Sequence, residues 1–216
     1  MTSKPAVLKS DELAAALTGL PDWRCRLGAL HTVFKASSSA EAVELVHQIG
    51  GLAEELNHHP DVDWRYDHVF VRTSTHSVGS EVTAKDVELA GRISALAAGA
   101  QARPELFRTV DIGVDAADPA AVLGTWQALL RYRAKGDADL VDPWGRGPSI
   151  WFQQTGTPDP SRLHLDVWVE DSSADGVLAE TQDAGARRID DRFRPSFTVI
   201  ADADGNRFCV CTNLDR

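Results

Sequence analysis

Apolar residues in the first hundred positions recur in two rhythms, and the changes of rhythm mark out the elements. Ser10 stands where a helix N-cap belongs, ahead of a run to about Leu20 that Pro21 closes. From Trp23 to Lys35 the apolar positions Leu27, Leu30 and Val33 suit one or two strands. Ser38-Ser-Ala-Glu41 has the form of a capping box. The helix it opens carries Val43, Val46, Ile49, Leu52–Ala53 and Leu56 at spacings of three and four. Pro60 disfavours the α region at His59, so this helix stops before it. Asp61–Arg65 and His68–Thr73 then read as a strand pair around Tyr66-Asp67. Thr83-Ala-Lys-Asp86 starts another helix, with Val87, Leu89–Ala90, Ile93 and Leu96–Ala97 on its inner side.

The second half repeats a longer unit. Val110-Asp-Ile-Gly-Val-Asp-Ala-Ala-Asp118 is strand-like and runs into a helix with Pro119 at its first position. Leu163-His-Leu-Asp-Val-Trp-Val-Glu-Asp171 is also strand-like and runs into a helix ending near Gly185. Further strands are expected at Ser149–Gln154, Phe197–Ala201 and Arg207–Thr212. Two βαβββ-like copies describe this half most simply. The small-residue stretch Ala97-Ala-Gly-Ala-Gln-Ala-Arg-Pro104 separates the halves, giving domains over 1–100 and 106–216. The expected class is α+β: an antiparallel sheet with helices on one face, then the paired modules.

Composition narrows the partners. The formal charge of −10 is spread over the chain, with 9 basic against 13 acidic residues in 1–100 and 13 against 19 in 101–216. Neither half carries a basic stripe, so nucleic acid is not an expected partner. No apolar run approaches the ~20 residues that span a bilayer, and the first ten residues lack a secretory core, so no membrane partner is expected. Cys25, Cys209 and Cys211 make neither a disulfide framework nor a CxxC pair, which fits a reducing cytoplasm.

The chemistry concentrates between Glu54 and Asp86. Six of the seven histidines precede residue 100, and His58, His59 and His76 fall in this stretch. Imidazole exchanges protons near neutral pH, so such a set suits acid–base catalysis. Adjacent histidines with a third 17 residues on lack the i, i+4 spacing of a catalytic zinc helix. Asp86, third in its helix, is expected to cap the helix and orient the wall of the pocket. Glu54 either bonds a histidine or is a solvated helix-end charge. Tyr66 is expected to pack in the hairpin, and His31, His47 and His68 to be core or solvated residues.

Glu54-x3-His58-His59-Pro60-x5-Tyr66-x9-His76-x9-Asp86 resembles the signature of the pterin-4a-carbinolamine dehydratases. The resemblance covers about residues 8–100, including Ser10-Asp-Glu-Leu, Leu20-Pro-Asp-Trp23 and Thr75-His76. Ser80-Glu-Val departs from a segment usually richer in glycine. The resemblance implies a lyase that removes water from a 4a-hydroxy-tetrahydropterin to give the quinonoid dihydropterin, as a 4a-hydroxytetrahydrobiopterin dehydratase. It implies His58, His59 and His76 as the catalytic set, Glu54, Pro60 and Asp86 as substrate-binding or supporting residues, and no cofactor. The partner would be a pterin, in a homodimer or higher homo-oligomer.

The second half resembles the glyoxalase-like, vicinal-oxygen-chelate superfamily over about 106–214. The resemblance rests on the paired strands, Asp142-Pro-Trp-Gly-Arg-Gly-Pro148, Arg162-Leu-His-Leu-Asp166 and Ala201-Asp-Ala-Asp-Gly-Asn206. Metal-dependent members take ligands from the first and last strands of each module, which carries over to Asp111, Gln153, His164 and Cys209. A cysteine beside an amide and a carboxylate suits the hard octahedral metals of such folds poorly, so no metal is expected there. Cys209 and Cys211 would be core, and Trp126, Trp144, Trp151 and Trp168 either line a ligand cup or pack in the core. Two other functions stay open: a dimerising or protein-binding module of dehydratase fold, and a metal-dependent lyase or dioxygenase acting through the second half.

Overall fold

The protein is described here by a computed structural model covering residues 4–157, 162–201 and 205–215. It divides into two compact units, Met1–Phe107 and Arg108–Arg216. The first runs through helix α1 (Ser10–Thr18), strands β1 (Arg24–Arg26) and β2 (Ala29–Lys35) and helix α2 (Ser39–Leu56). Strands β3 (Asp61–Arg65) and β4 (His68–Thr73), helix α3 (Ala84–Leu96) and the short strand β5 (Gln101–Ala102) complete it. The sheet is antiparallel, in the order β1-β2-β4-β3, with β5 also pairing β2.

Strand alternation decides what each face does. Leu30 and Phe34 of β2 lie on the face of Val69 and Val71 of β4, and form one core with Ile49 and Leu52 of α2 and Leu89 and Ile93 of α3. The other face carries His31, whose register partner is Arg72, and Phe70. Phe107 covers it, with ring centroids 4.5 Å from His31 and 6.1 Å from Phe70. The helices therefore sit on one face, and residues 101–107 close the other by pairing with β2 and packing on its outer side. This is why the first unit runs on to Phe107.

Several local expectations shift. Ser10 is the first helical residue rather than the cap; Lys9 is the N-cap, and its N–H donates to the Glu12 carboxylate at 2.8 Å. Leu27 is not a strand residue. With Gly28 it makes a two-residue turn at φ 49° and 73°, joining β1 to β2. The buried stripe of α2 is Ala42, Leu45, Ile49, Leu52 and Ala53, leaving Val43 exposed. In α3, Leu96 faces out while Asp86 is fully buried. The β3 and β4 spans match the expected strand pair, but Tyr66 sits at its turn with φ 55° and is 77% exposed, so it does not pack.

The second unit contains β6 (Thr109–Ala116), α4 (Pro119–Leu130), β7 (Arg133–Lys135), β8 (Asp139–Val141) and β9 (Ser149–Gln154). A second set follows: β10 (Leu163–Trp168), α5 (Ala174–Asp183), β11 (Arg187–Asp190), β12 (Phe197–Ala201) and β13 (Arg207–Cys211). One sheet holds all eight strands in the order β11-β12-β13-β10-β6-β9-β8-β7. Outward from the antiparallel β10–β6 pair, each module repeats the same sequence of neighbours. That is the paired βαβββ arrangement. Strands β7, β8 and β11 carried no clear alternation, and all three residues of β7 are exposed. Residues 202–204 of the Ala201–Asn206 motif lie outside the described residues. Val114, Ile150 and Phe152 pack with α4, and Ile200 and Val210 with Leu178 of α5. Both helices thus cover the same face of the sheet.

Two outcomes test this packing. Leu89 is 0% exposed at the centre of the first core, so Leu89→Ala should cost ~2–5 kcal/mol. Hydrogen exchange of the β2 amides in the full chain reads the loss. His31 donates through Nε2 to the Arg26 carbonyl at 3.2 Å, and its Nδ1 has no hydrogen-bond partner among the described residues. Burial, reinforced by Arg72, holds its pKa down at about 3, against 6.5 for a free histidine. Below the free value the unfolded chain takes up a proton that the folded chain refuses, so stability falls as pH drops from 6.5 toward 3. Between pH 6.5 and 5, above the carboxylate range, the loss should be roughly 1.5 kcal/mol. The same exchange measurement should show the slope flattened in His31→Gln.

Candidate active site

Helix α2 ends because Asn57 takes the left-handed conformation at φ 46°, ψ 47°. The His58 N–H returns to the Ala53 carbonyl at 3.1 Å, closing the last turn. His58 and His59 therefore leave the helix in a short link that Pro60 carries into β3. The histidines part at once. The His58 ring turns inward, with 11% of its side chain exposed, and its Nε2 lies 2.7 Å from Asp86 Oδ1. His59 turns outward and pairs through Nε2 with Glu54 Oε1 at 2.9 Å, both side chains more than half exposed. Such a solvated pair adds little stability but fixes where the ring stands.

Asp86 is the centre of the arrangement. It is the N3 residue of α3, and its Oδ2 accepts the Thr83 N–H at 2.8 Å, completing a capping box. Thr73 Oγ1, at the end of β4, donates to Oδ1 at 2.7 Å, and Thr75 Oγ1 donates to Oδ2 at 2.7 Å. Thr75 and Thr83 hydroxyls stand 2.7 Å apart. A hydroxyl has one proton, so with Thr75 donating to Asp86, the Thr83 proton is shared between Thr75 Oγ1 and Asp86 Oδ2, the latter 3.1 Å away. Burial alone would raise the Asp86 pKa; the hydrogen bonds from Thr75, Thr73, His58 and Thr83 reverse this and hold it below the usual carboxylate value. The carboxylate stays charged and can only accept, so His58 carries its proton on Nε2 and presents Nδ1.

His76 is exposed and opens the 3₁₀ turn His76–Val78. Its link to the centre is through the chain, since Thr75 directly precedes it. Thr75 pairs with Glu81 across a small loop in which Gly79 and Ser80 have φ 91° and 63°. That conformation favours glycine, which gives a physical reason for the glycine preference from which Ser80-Glu-Val departs. The threonines at 73, 75 and 83 were missed by spacing. The local signs of them were the capping pattern at Thr83 and the Thr75-His76 step of the family resemblance.

The face of the second sheet opposite α4 and α5 carries a different set. His164 and Asp166 lie on β10, and Cys209 on β13 is the register partner of Asp166. One ligating atom from each of the three lies within 4.8 Å of the others. Asp111 stands across from Asp166 on β6, and its Oδ2 accepts the Trp168 indole N–H at 3.2 Å. Burial pushes its carboxyl up to about 6. Trp151 donates to Asp166 Oδ2 at 3.1 Å. Gln153 lies at the exposed end of β9. The cluster shares His164 and Cys209 with the carried-over quartet and includes Asp166 besides. A cysteine, an imidazole and one carboxylate do not fit the hard octahedral ions of such folds. Of the four tryptophans, Trp126 packs edge-on against Phe152, Trp144 is 82% exposed, and Trp151 and Trp168 serve the two carboxylates.

In the first unit a buried carboxylate holds His58, while His59 and His76 are exposed. A family profile described as pterin 4 alpha carbinolamine dehydratase matches residues 6–96, and one described as a glyoxalase-like domain matches residues 111–211. A Mycolicibacterium smegmatis protein provisionally named a pterin-4-alpha-carbinolamine dehydratase is 38% identical over 89 residues, 41% of this chain and 94% of that one. A Streptomyces coelicolor protein of the same name is 39% identical over 92 residues, 43% of this chain and 91% of that one. A Brucella melitensis structure described as a transcriptional coactivator/pterin dehydratase shows 31% identity over 43% of this chain and 99% of its own, with a TM-score of 0.41. The chain belongs to the pterin-4a-carbinolamine dehydratase family, and a glyoxalase-like domain follows the family region. Among the described residues no helix is long and apolar enough to cross a membrane.

Thr75→Val keeps the shape but removes one donor from a fully buried carboxylate. It should destabilise the first unit by ~1–3 kcal/mol. Since the lowered Asp86 pKa gives stability that is lost as pH falls through it, the variant should also begin to lose stability at a higher pH than wild type. Urea unfolding across pH 3–7, followed by exchange of the α3 amides, checks both.

Proposed function

We propose that the first unit dehydrates a 4a-hydroxy-tetrahydropterin, with the tetrahydrobiopterin form as substrate, by histidine acid–base catalysis without a cofactor. The observation that carries the reading is the His58–Asp86 contact of 2.7 Å, in which a charged, buried carboxylate fixes the tautomer of one imidazole. The reaction breaks the C4a–O bond, sends the hydroxyl out as water and removes the N5 proton, leaving the C4a=N5 bond of the quinonoid dihydropterin. His58, with its proton pinned on Nε2, offers the Nδ1 lone pair as the base at N5. His59 and His76, on the exposed side, supply the proton to the departing hydroxyl and contact the substrate. Glu54 orients His59, and Pro60 fixes the backbone that carries both histidines into β3. Asp86 is a positioning residue: it acts through His58 while capping α3.

Positioned general acids and bases contribute ~10²–10⁴-fold each. His58→Ala in the full chain should therefore lower kcat by about that factor with the fold retained. His59→Ala should lower turnover through both kcat and KM, since in this reading its exposed ring meets the substrate as well as donating the proton. Stopped-flow dehydration of 4a-hydroxy-tetrahydrobiopterin, with circular dichroism as the folding control, measures both. Wild-type turnover in the His58→Ala/His59→Ala double variant would overturn the proposal.

A further inference from the structure

The inner row of β4 runs Val69, Val71, Thr73, and its third place breaks the apolar pattern. Val69 and Val71 are fully buried in the core, and Thr73, also buried, has the fully buried Leu30 as its register partner. A valine would fill such a position with no polar atom to satisfy, so a hydroxyl there needs a partner worth its burial. Its donation to Asp86 Oδ1 at 2.7 Å supplies one. Thr73 Oγ1 also stands 3.4 Å from His58 Nε2, so the same hydroxyl reaches the ring.

The two oxygens of Asp86 are served differently. Thr75 and Thr83 hold Oδ2, while Thr73 and His58 share Oδ1. Thr73 Oγ1, Asp86 Oδ1 and His58 Nε2 therefore form a triangle with two sides of 2.7 Å and one of 3.4 Å. With its one proton given to Oδ1, the Thr73 hydroxyl keeps lone pairs beside the Nε2–H, which lies between a near acceptor and a far one. The near acceptor fixes where Nε2 stands but lets the ring swing about that contact. The far one limits the swing, and Nδ1, on the other side of Cε1, is the atom such a swing displaces.

We propose that Thr73 is a positioning residue for the dehydration, its hydroxyl setting the angle of the His58 ring so that Nδ1 is aimed at the N5 proton. This rests on the reading of His58 as the base. Thr73 touches no reacting atom and acts through the ring: Asp86 sets the tautomer, and Thr73 sets the angle. A misplacement of about 1 Å at a reacting group costs on the order of 10²-fold. One long second contact limits a smaller displacement, so its loss should cost about tenfold in rate.

Variants of the full chain separate this role from mere support of the buried charge. Thr73→Val should lower kcat for 4a-hydroxy-tetrahydrobiopterin about tenfold with KM little changed, and Thr73→Ser, which keeps the hydroxyl, should restore most of it. NMR of the substrate-free chain carrying ¹⁵N-histidine reads the ring directly. The His58 Nε2–H resonance should move in Thr73→Val and return in Thr73→Ser. Thr75→Val takes a donor from the other oxygen and should move it less. If Thr73→Val does not fold, Thr73→Ala removes the same hydroxyl without a methyl against Asp86 and is read in its place. Wild-type kcat in the folded variant, equal losses in Thr73→Val and Thr73→Ser, or equal displacement in Thr73→Val and Thr75→Val would overturn the proposal. Absence of turnover in the wild-type chain would instead overturn the dehydratase reading; the resonance, recorded without substrate, still shows whether Thr73 holds the ring.

Discussion

A carboxylate with no exposure to water is affordable only if its charge is answered from every side, and Asp86 meets that condition with donors from three parts of the chain. Thr73 and Thr75 come from the end of β4 and the turn beyond it, Thr83 from the start of α3, and His58 from the link after α2. Each donor is held where it is because the carboxylate is charged, and the carboxylate stays charged because they are there. One buried charge therefore fixes the helix start, the strand end and the His58 ring. Moving any of the three elements would take a donor away from a buried charge, which is how a stability requirement becomes a requirement on the geometry of the site.

The second unit shows the same physics left incomplete. Asp111 and Asp166 face each other across the central strand pair, and each is held by one indole N–H from the other module. Trp168 of the second module serves Asp111, and Trp151 of the first serves Asp166. The exchange knits the two modules at their common axis, but it satisfies one oxygen of each carboxylate and leaves the other. In the first unit the network is closed and holds the His58 ring. In the second, among the described residues, one oxygen of each carboxylate has no hydrogen-bond partner.

Much of this was legible where the relevant information is local. The β3–β4 pair could be bounded to the residue because alternation and the Tyr66-Asp67 turn lie within a dozen positions. The capping pattern at Thr83 placed α3 and predicted that Asp86 would serve its N-terminus. The stripe of α2 was drawn one residue off, with Val43 in and Ala42 out, because spacings of three and four admit neighbouring stripes until the sheet chooses between them. Tyr66 was misplaced for a related reason: an aromatic in a strand pair usually packs, but this one occupies the positive-φ turn position. Strands β7, β8 and β11 are too short to show a period, and pairing alone makes them strands.

By itself the sequence determined the two-part organisation, the family of the first part and the three histidines, since these are matters of order and spacing along one chain. It could not say that His58 turns in while His59 turns out, because neighbouring residues in an irregular link have no fixed facing until something claims one of them. The claimant, Asp86, lies 28 residues away and is brought there by the packing of α3. Nor could it bring Asp166 beside Cys209 in the second unit, where the decision rests on which strands are neighbours and in what register. Composition and rhythm fix what each segment is. Only the close approach of distant segments, driven by core burial and by the need to satisfy buried charge, decides which side chains meet.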